Sequence, residues 1–255
     1  MPGVLARVGE GLLELVFAPV CVACRRRLPA ESARRLVCNL CWSRCRALPA
    51  PRCPRCYAPL PPGSAPAPLC SECDGLPAAL RVVRSAFAME GPARGVILAL
   101  KYRGWEAVAV PLAARLARLP LPEDVAEEAR VVVPVPSSPA RRRERGYNQA
   151  ELIARAFALR TGRSLDAGLL ERPGATETQT GLHGGERRAN VAGAFRVPAR
   201  RWGDLEGRHL LLLDDVWTTG ATATACAYAL VGAGARMVSV LTVARALGGR
   251  GRVAR

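Results

Sequence analysis

Lysine is almost missing from this chain: Lys101 is the only one among 37 basic residues, and the others are arginines. Acids are scarce as well, 21 in all, which leaves a formal net charge of +16 and an isoelectric point near 10.6. A surplus of that size points to polyanionic partners such as phosphates, nucleic acid or acidic lipid. An arginine-rich composition can also reflect a biased genome, so both explanations stand. Long apolar runs are missing too. A bilayer span needs ~18 consecutive apolar residues, and Glu10 and Glu14 interrupt the one N-terminal candidate, GEGLLELVF. That stretch has neither a basic start nor a small-residue cleavage site, which argues against a secretory signal. The expectation is a cytoplasmic protein with no membrane span.

What is abundant is cysteine, in one place. Nine of the ten cysteines fall between Cys21 and Cys73, and eight of them form the pairs CVAC, CNLC, CPRC and CSEC. Thirteen residues separate Cys24 from Cys38, and thirteen separate Cys56 from Cys70. The unit C-x2-C-x13-C-x2-C therefore occurs twice. Two such knuckles direct four thiolates at one point, the ligand set of a structural zinc site. A disulfide framework would not need the repeated spacing, and a redox dithiol is usually a single C-x-x-C at a helix start. The expected ligands are Cys21, Cys24, Cys38 and Cys41 for one zinc and Cys53, Cys56, Cys70 and Cys73 for another, a preference drawn from the repeat because four knuckles pair in three ways. Four-cysteine sites leave no open coordination position, so they hold a fold together instead of catalysing. Cys45 is left over for packing or the surface.

Arg25, Arg26, Arg27, Arg34, Arg35, Arg44, Arg46, Arg52 and Arg55 surround the knuckles, with Trp42 and Tyr57 among them. Arginines mixed with aromatics can follow a nucleic-acid backbone and stack on bases, or can simply be a solvated basic surface. Ala58 to Pro68, APLPPGSAPAP, reads as an irregular loop.

The character changes after Cys73, which divides the chain into an expected cysteine-rich domain over 1–80 and an α/β domain over 81–255. The strand VVRSAFAME precedes the helix PARGVILALKYRGW, a second helical stretch AVAVPLAARLARL, an acidic patch EDVAEEA, and the short buried strand RVVVPVP. In RRRERGYNQAELIARAFALRTG, Asn148 and Glu151 predict a capping box, with Leu152, Ile153, Ala156, Phe157 and Leu159 as the apolar face and Gly162 as the stop. Arg141, Arg142, Arg143 and Arg145 would then crowd the mouth of a helix, where backbone amides also favour anions. From Glu171 to Phe195 the chain is irregular, the pattern of an active-site cover or a disordered segment. His183 within it is read as an ordinary loop histidine.

HLLLL, TATACAYALVGAG and ARMVSVLTVAR close the chain as strand, helix and strand, a βαβ unit that builds a parallel sheet covered on both faces. Ligands of such sheets sit at the carboxyl ends of the strands. There lies DDVWTTGAT. Asp214 and Asp215 can accept hydrogen bonds from a vicinal diol, while Thr218, Thr219, Gly220, Ala221 and Thr222 offer hydroxyls and free amides to a phosphate. A ribose 5-phosphate fits this set best; a paired-acid metal site and a plain strand end are the alternatives.

LLLLDDVWTTGAT resembles the 5-phosphoribosyl 1-pyrophosphate (PRPP) motif of type I phosphoribosyltransferases. The ordered set of a cysteine-knuckle head, LKYRG, VPVP, RRRERGYNQ, QTGLHGGERRANVAGAF and DDVWTTGAT resembles the ComF family of competence proteins over nearly the whole chain. The resemblance implies a type I phosphoribosyltransferase-like α/β sheet behind a double zinc ribbon. It implies that Asp214 and Asp215 hold the ribose hydroxyls and Thr218–Thr222 the 5-phosphate. Pro134, Val135, Pro136 and Ser137 match the pyrophosphate loop, with Mg2+ between pyrophosphate and ribose, and Arg141, Arg145 and Arg187 are candidate anion contacts. Gln179 to Asn190 matches a mobile hood. It further implies a place in natural transformation, handling single-stranded DNA beside a helicase-like partner. The competing expectation is an active phosphoribosyltransferase with an unidentified acceptor, for which no residue stands out as a general base.

Overall fold

The computed structural model describes residues 19–29, 36–64, 69–73, 75–173 and 194–247. The chain divides into two compact units, Met1–Arg46 with Glu90–Val108, and Ala47–Met89 with Ala109–Arg255. The two cysteine sets fall one in each.

In the first unit the CVAC knuckle is a tight turn. Cys21 accepts from the Arg25 amide through its carbonyl at 2.7 Å, and its own amide donates to the Arg26 carbonyl at 2.9 Å, with Arg25 in the left-handed region at φ 60. Its partner knuckle opens the short helix α1 (Asn39–Arg44), whose N-cap is Cys38 itself. Helix α2 (Gly91–Tyr102) carries the GVILAL run, with Val96, Ile97, Ala99 and Leu100 buried. Gly95 in it lets the knuckle backbone close in, since a Cβ there would stand 3.3 Å from the Ala23 Cα.

The second unit is built on five parallel strands: β1 (Leu80–Ala88), β2 (Val131–Pro134), β3 (Ser164–Leu165), β4 (His209–Trp217) and β5 (Met237–Arg245), in the order β1-β5-β4-β2-β3. Leu210 to Leu213 are 0% exposed, as a strand covered on both faces requires. The helices are α3 (Ala109–Leu116), α4 (Glu123–Glu128), α5 (Pro139–Arg145), α6 (Gln149–Thr161) and α7 (Ala221–Gly232). The expected α/β class and the βαβ unit around α7 are therefore present. The short β3 had no sequence signal, because two residues are too few to show a period.

Helix α6 begins at Asn148, whose Oδ1 accepts from the Ala150 amide at 3.2 Å, and ends at Gly162 with φ 68, where the sequence places both. Its face differs in part from the expected one. Ile153, Ala154, Phe157 and Ala158 are buried, but Leu159 is 88% exposed, and Glu151 pairs with Arg155 and Arg142. At 100° per residue Leu159 lies two residues beyond Phe157 and so turns away from the sheet.

The second cysteine set belongs to this unit's core, where Cys53, Cys56 and Cys73 pack with Leu80, Val83 and Trp217 in one buried cluster. It also protects the open edge of β1. The Val83 amide donates to the Arg55 carbonyl at 2.8 Å, and the Arg55 side chain reaches back to the carbonyls of Leu80 and Pro77. Tyr57, at φ 64, is held between the guanidiniums of Arg52 and Arg84, each about 5 Å from its ring centre. These bonds cover the first part of an edge strand whose open groups could otherwise recruit another chain.

Candidate functional site

The sheet places the cleft. β2 feeds α6 and the chain returns at β3 on one side, whereas β4 feeds α7 and returns at β5 on the other. The two connections diverge, so the carboxyl ends of β2 and β4 flank the switch point at which α/β sheets take ligands. The strands pair directly, Pro134 against Leu213, and the Val135 amide adds a bond to the Leu213 carbonyl at 2.9 Å. Beyond that point β4 continues alone towards Trp217 on the β2 side. Asp214 and Asp215 lie on that overhang, opposite the loop Val135–Ser138.

The Asp215 amide donates to Asp214 Oδ1 at 2.8 Å. Neighbours on an extended strand diverge: Asp215 is buried, and Asp214 is half-buried. Burial pushes the thiol of Cys226 on α7 well up; the Asp214 carboxylate adds to this and Arg172 opposes it, which sets an acid and an arginine beside α7. Thr218, Thr219, Ala221 and Thr222 are exposed around the N-terminus of α7, where the N-cap is Gly220, which brings no capping side chain of its own. The Thr219 hydroxyl accepts from the Ala221 amide at 3.4 Å. Gly220 has a reason beyond close approach to a ligand. Its φ is +80, and a Cβ would come within 2.5 Å of the Trp217 indole.

Across the cleft, the loop after β2 is fastened by polar side chains. Asn148 Nδ2 donates to the Val135 carbonyl at 3.0 Å, Ser137 Oγ donates to Asn148 Oδ1 at 2.9 Å, and Arg145 Nη1 donates to Gln149 Oε1 at 3.0 Å. Asn148 and Gln149 are buried. The arginines are placed otherwise than the sequence suggested. Arg141 to Arg145 form a helix of their own, α5, capped by Ser138 and closed at Gly146; Arg142, Arg143 and Arg145 lie in its last turn, where cations favour a helix's own carbonyl end. The reason is Gly146 at φ 82, which breaks the chain before Asn148 starts α6. Arg187, His183 and the expected hood, 179–190, lie outside the described residues.

Both cysteine sets close as the repeat predicts. Within each group of four the sulfurs lie within 4.8 Å of one another. Metal–sulfur bonds of about 2.3 Å give a tetrahedron with edges of about 3.8 Å. Cys24 and Cys38 stand 3.9 Å apart, and in the second set the pairs Cys53–Cys73, Cys56–Cys70 and Cys70–Cys73 stand at 3.6, 3.4 and 3.8 Å. The residues fit a double zinc ribbon. Burial opposes ionisation of Cys21, but amides of Cys24, Cys38 and Ala23 outweigh it and bring the thiol down to about 7. In the second set burial of Cys53 is likewise outweighed by the Cys56, Arg55 and Cys70 amides, again giving about 7. Burial pushes Cys41 and Cys56 up and raises Cys73 to about 11. One ready thiolate per set can take a cation first, and the others ionise as it binds.

Sequence reading missed four residues of the cleft's surroundings. Asn148 was assigned only a cap, and Gln149 nothing. Trp217, directly before Thr-Thr-Gly, was a signal that went unread. Arg245, read only as the end of the last predicted strand, is the buried last residue of β5, 2% exposed, and its polar partners carried no signal.

The fold and sites thus define an α/β protein with a five-stranded parallel sheet, a cleft at its switch point and two four-cysteine sets. No protein-family model matches the chain. It is 29% identical over 243 residues to DNA utilization protein YhgH of Salmonella typhi and 28% identical over 243 residues to that of Escherichia coli K12, covering 91% of this chain and 100% of each relative. It is 34% identical over 143 residues to Competence protein F of Haemophilus influenzae, 54% of this chain and 57% of that one. The chain is a homologue of these proteins, and the resemblance to the ComF family stands. Among solved structures, TT1426 from Thermus thermophilus aligns with 22% identity over 56% of this chain and 73% of that one, at a TM-score of 0.29. No described helix is long and apolar enough to cross a membrane.

Proposed function

We infer that this protein binds PRPP in the cleft between β2 and β4 and carries zinc in both cysteine sets. The observation that carries the reading is the switch point itself. It brings the acids of β4 and the glycine-capped start of α7 to one side and the fastened loop after β2 to the other. In this reading Asp214 and Asp215 take the ribose hydroxyls, Thr218–Thr222 the 5-phosphate, and Pro134–Ser137 the pyrophosphate. Mg2+ bound with PRPP would offset the charge of the pyrophosphate. The names of the relatives and the +16 charge support a role in handling single-stranded DNA during uptake for natural transformation, in the cytoplasm and beside a helicase-like partner.

The test is a parallel titration of the pure, zinc-loaded chain. With Mg2+, PRPP should bind, and Asp214→Asn with Asp215→Asn should abolish binding; survival of binding in the double variant overturns the site. Single-stranded DNA should bind with a steep salt dependence that flattens when Arg25, Arg26 and Arg27 are replaced. Pyrophosphate release with one nucleobase or amine, together with DNA binding no tighter than that of a matched basic control, would instead establish a phosphoribosyltransferase of small-molecule metabolism.

A further inference from the structure

We propose that the second cysteine set is the prop of the phosphate turn, transmitting its metal occupancy through Arg245 and Trp217 to Gly220; this rests on reading 218–222 as the phosphate turn. Arg245 is a buried cation with three kinds of partner. Nη1 donates to the Cys56 carbonyl at 2.7 Å, Nη2 lies 4.0 Å from Cys56 Sγ, and Nη2 donates to the Glu72 carboxylate. Its guanidinium carbon lies 5.4 Å from the Trp217 ring centre. The backbone fixes the same pair, since Arg245 faces Trp217 in the β4–β5 register and the Ala246 amide donates to the Trp217 carbonyl at 2.8 Å.

The same indole leaves room only for a glycine at 220. A Cβ at 220 would meet Cζ2 at 2.5 Å and Cη2 at 2.8 Å. The indole therefore neighbours both a guanidinium that the cysteine set holds and the residue that starts the turn. Four thiolates on one divalent zinc leave a net double negative charge, and a buried guanidinium one atom layer away is the natural counter-ion. Losing that charge leaves the guanidinium to Glu72 and the Cys56 carbonyl alone and changes its position beside the indole. The indole then loses its support, and the amides of the turn lose their aim. Arg245 is a positioning residue, since it acts on the turn through Trp217.

The experiment uses the full zinc-loaded chain and compares wild type with Arg245→Met and Trp217→Phe. It reads zinc per chain, circular dichroism, tryptophan emission and PRPP–Mg2+ affinity by calorimetry. Arg245→Met should keep the fold and bound zinc, shift the part of the emission that Trp217→Phe removes, and weaken PRPP about tenfold or more, the scale of lost support around a metal centre. A merely structural arginine would lower stability and leave the affinity of the folded protein unchanged. If Arg245→Met does not fold, Arg245→Lys keeps the charge without the fork and should lose several-fold in affinity. Zinc, emission and PRPP affinity all within twofold of wild type in the variant that folds would overturn the proposal. If wild type binds no PRPP, the reading of the cleft fails separately, and the coupling is judged by Trp217 emission alone: a zinc-loaded Arg245 variant with unaltered emission overturns it.

Discussion

The two cysteine sets share a spacing and differ in what they are attached to. In the first, Cys24 is exposed and the set is framed by a six-residue helix and α2. In the second, three of four cysteines are buried among the side chains of the sheet, and Arg245 reaches into it from the end of β5. One repeat therefore has two settings: the first set organises its own short segment, and the second forms part of the sheet unit's core. An equal change in each set should reveal the difference.

The largest effect is expected from Cys56→Ser, which removes a metal ligand and a fully buried side chain together. It should cost about 3–5 kcal/mol, read as a lowered melting temperature of the sheet unit. Cys24→Ser should release one metal per chain, measurable by metal analysis, with the sheet unit's melting temperature little changed. Equal losses would dissolve the distinction between the sets. Next comes Gly220→Ala, which forces a left-handed backbone and a contact with Trp217; about 2–3 kcal/mol is expected in denaturant unfolding.

Acidification sharpens the comparison further. Each set has one thiol held near 7, and burial pushes up Cys41 in the first and Cys56 and Cys73 in the second, so metal uptake releases protons, and occupancy should fall as pH drops below 7. With two raised thiols against one, the second set should begin to lose metal at higher pH than the first, a difference readable by metal content of dialysed samples. A separate, smaller pH effect belongs to His209. Burial lowers its pKa below the usual 6.5, with Glu128 opposing and Arg236 adding to the effect; its ring meets Ser239 at 2.9 Å and Glu128 at 3.2 Å. The folded state keeps it neutral while the unfolded chain binds a proton below about 6.5, so stability is full above that pH and falls on acidification. His209→Gln should flatten this slope in unfolding curves between pH 7 and 5 and cost about 1–2 kcal/mol from the lost bonds. The smallest effect is expected at Leu159→Gln on α6, whose side chain is exposed: within about 0.5 kcal/mol by the same measurement.

Much of the cleft was legible. HLLLL and the helix after DDVWTTGAT are where the pattern put them, but the strand runs on through both acids to Trp217 and the helix already starts at Ala221, because pairing with β5 continues past Leu213. The arginines after β2 were misplaced because a charge run carries no period; only Gly146, a left-handed stop, separates α5 from α6. Leu159 was misassigned because apolar identity was counted without following the helical angle to the end. Arg245 was illegible, since its partners are 173 and 189 positions away.

By itself the sequence determined the two four-thiol sets, the parallel α/β class and the order of acids and hydroxyls around one turn, because each depends on spacing that the chain carries locally. The tertiary structure decided that one set lies in the core of the sheet unit, that β2 and β4 adjoin at the switch point, and that an arginine from the last strand meets both a cysteine and the tryptophan under the turn. Those are long-range pairings, fixed by strand register and by burial of charge, and no local pattern encodes them.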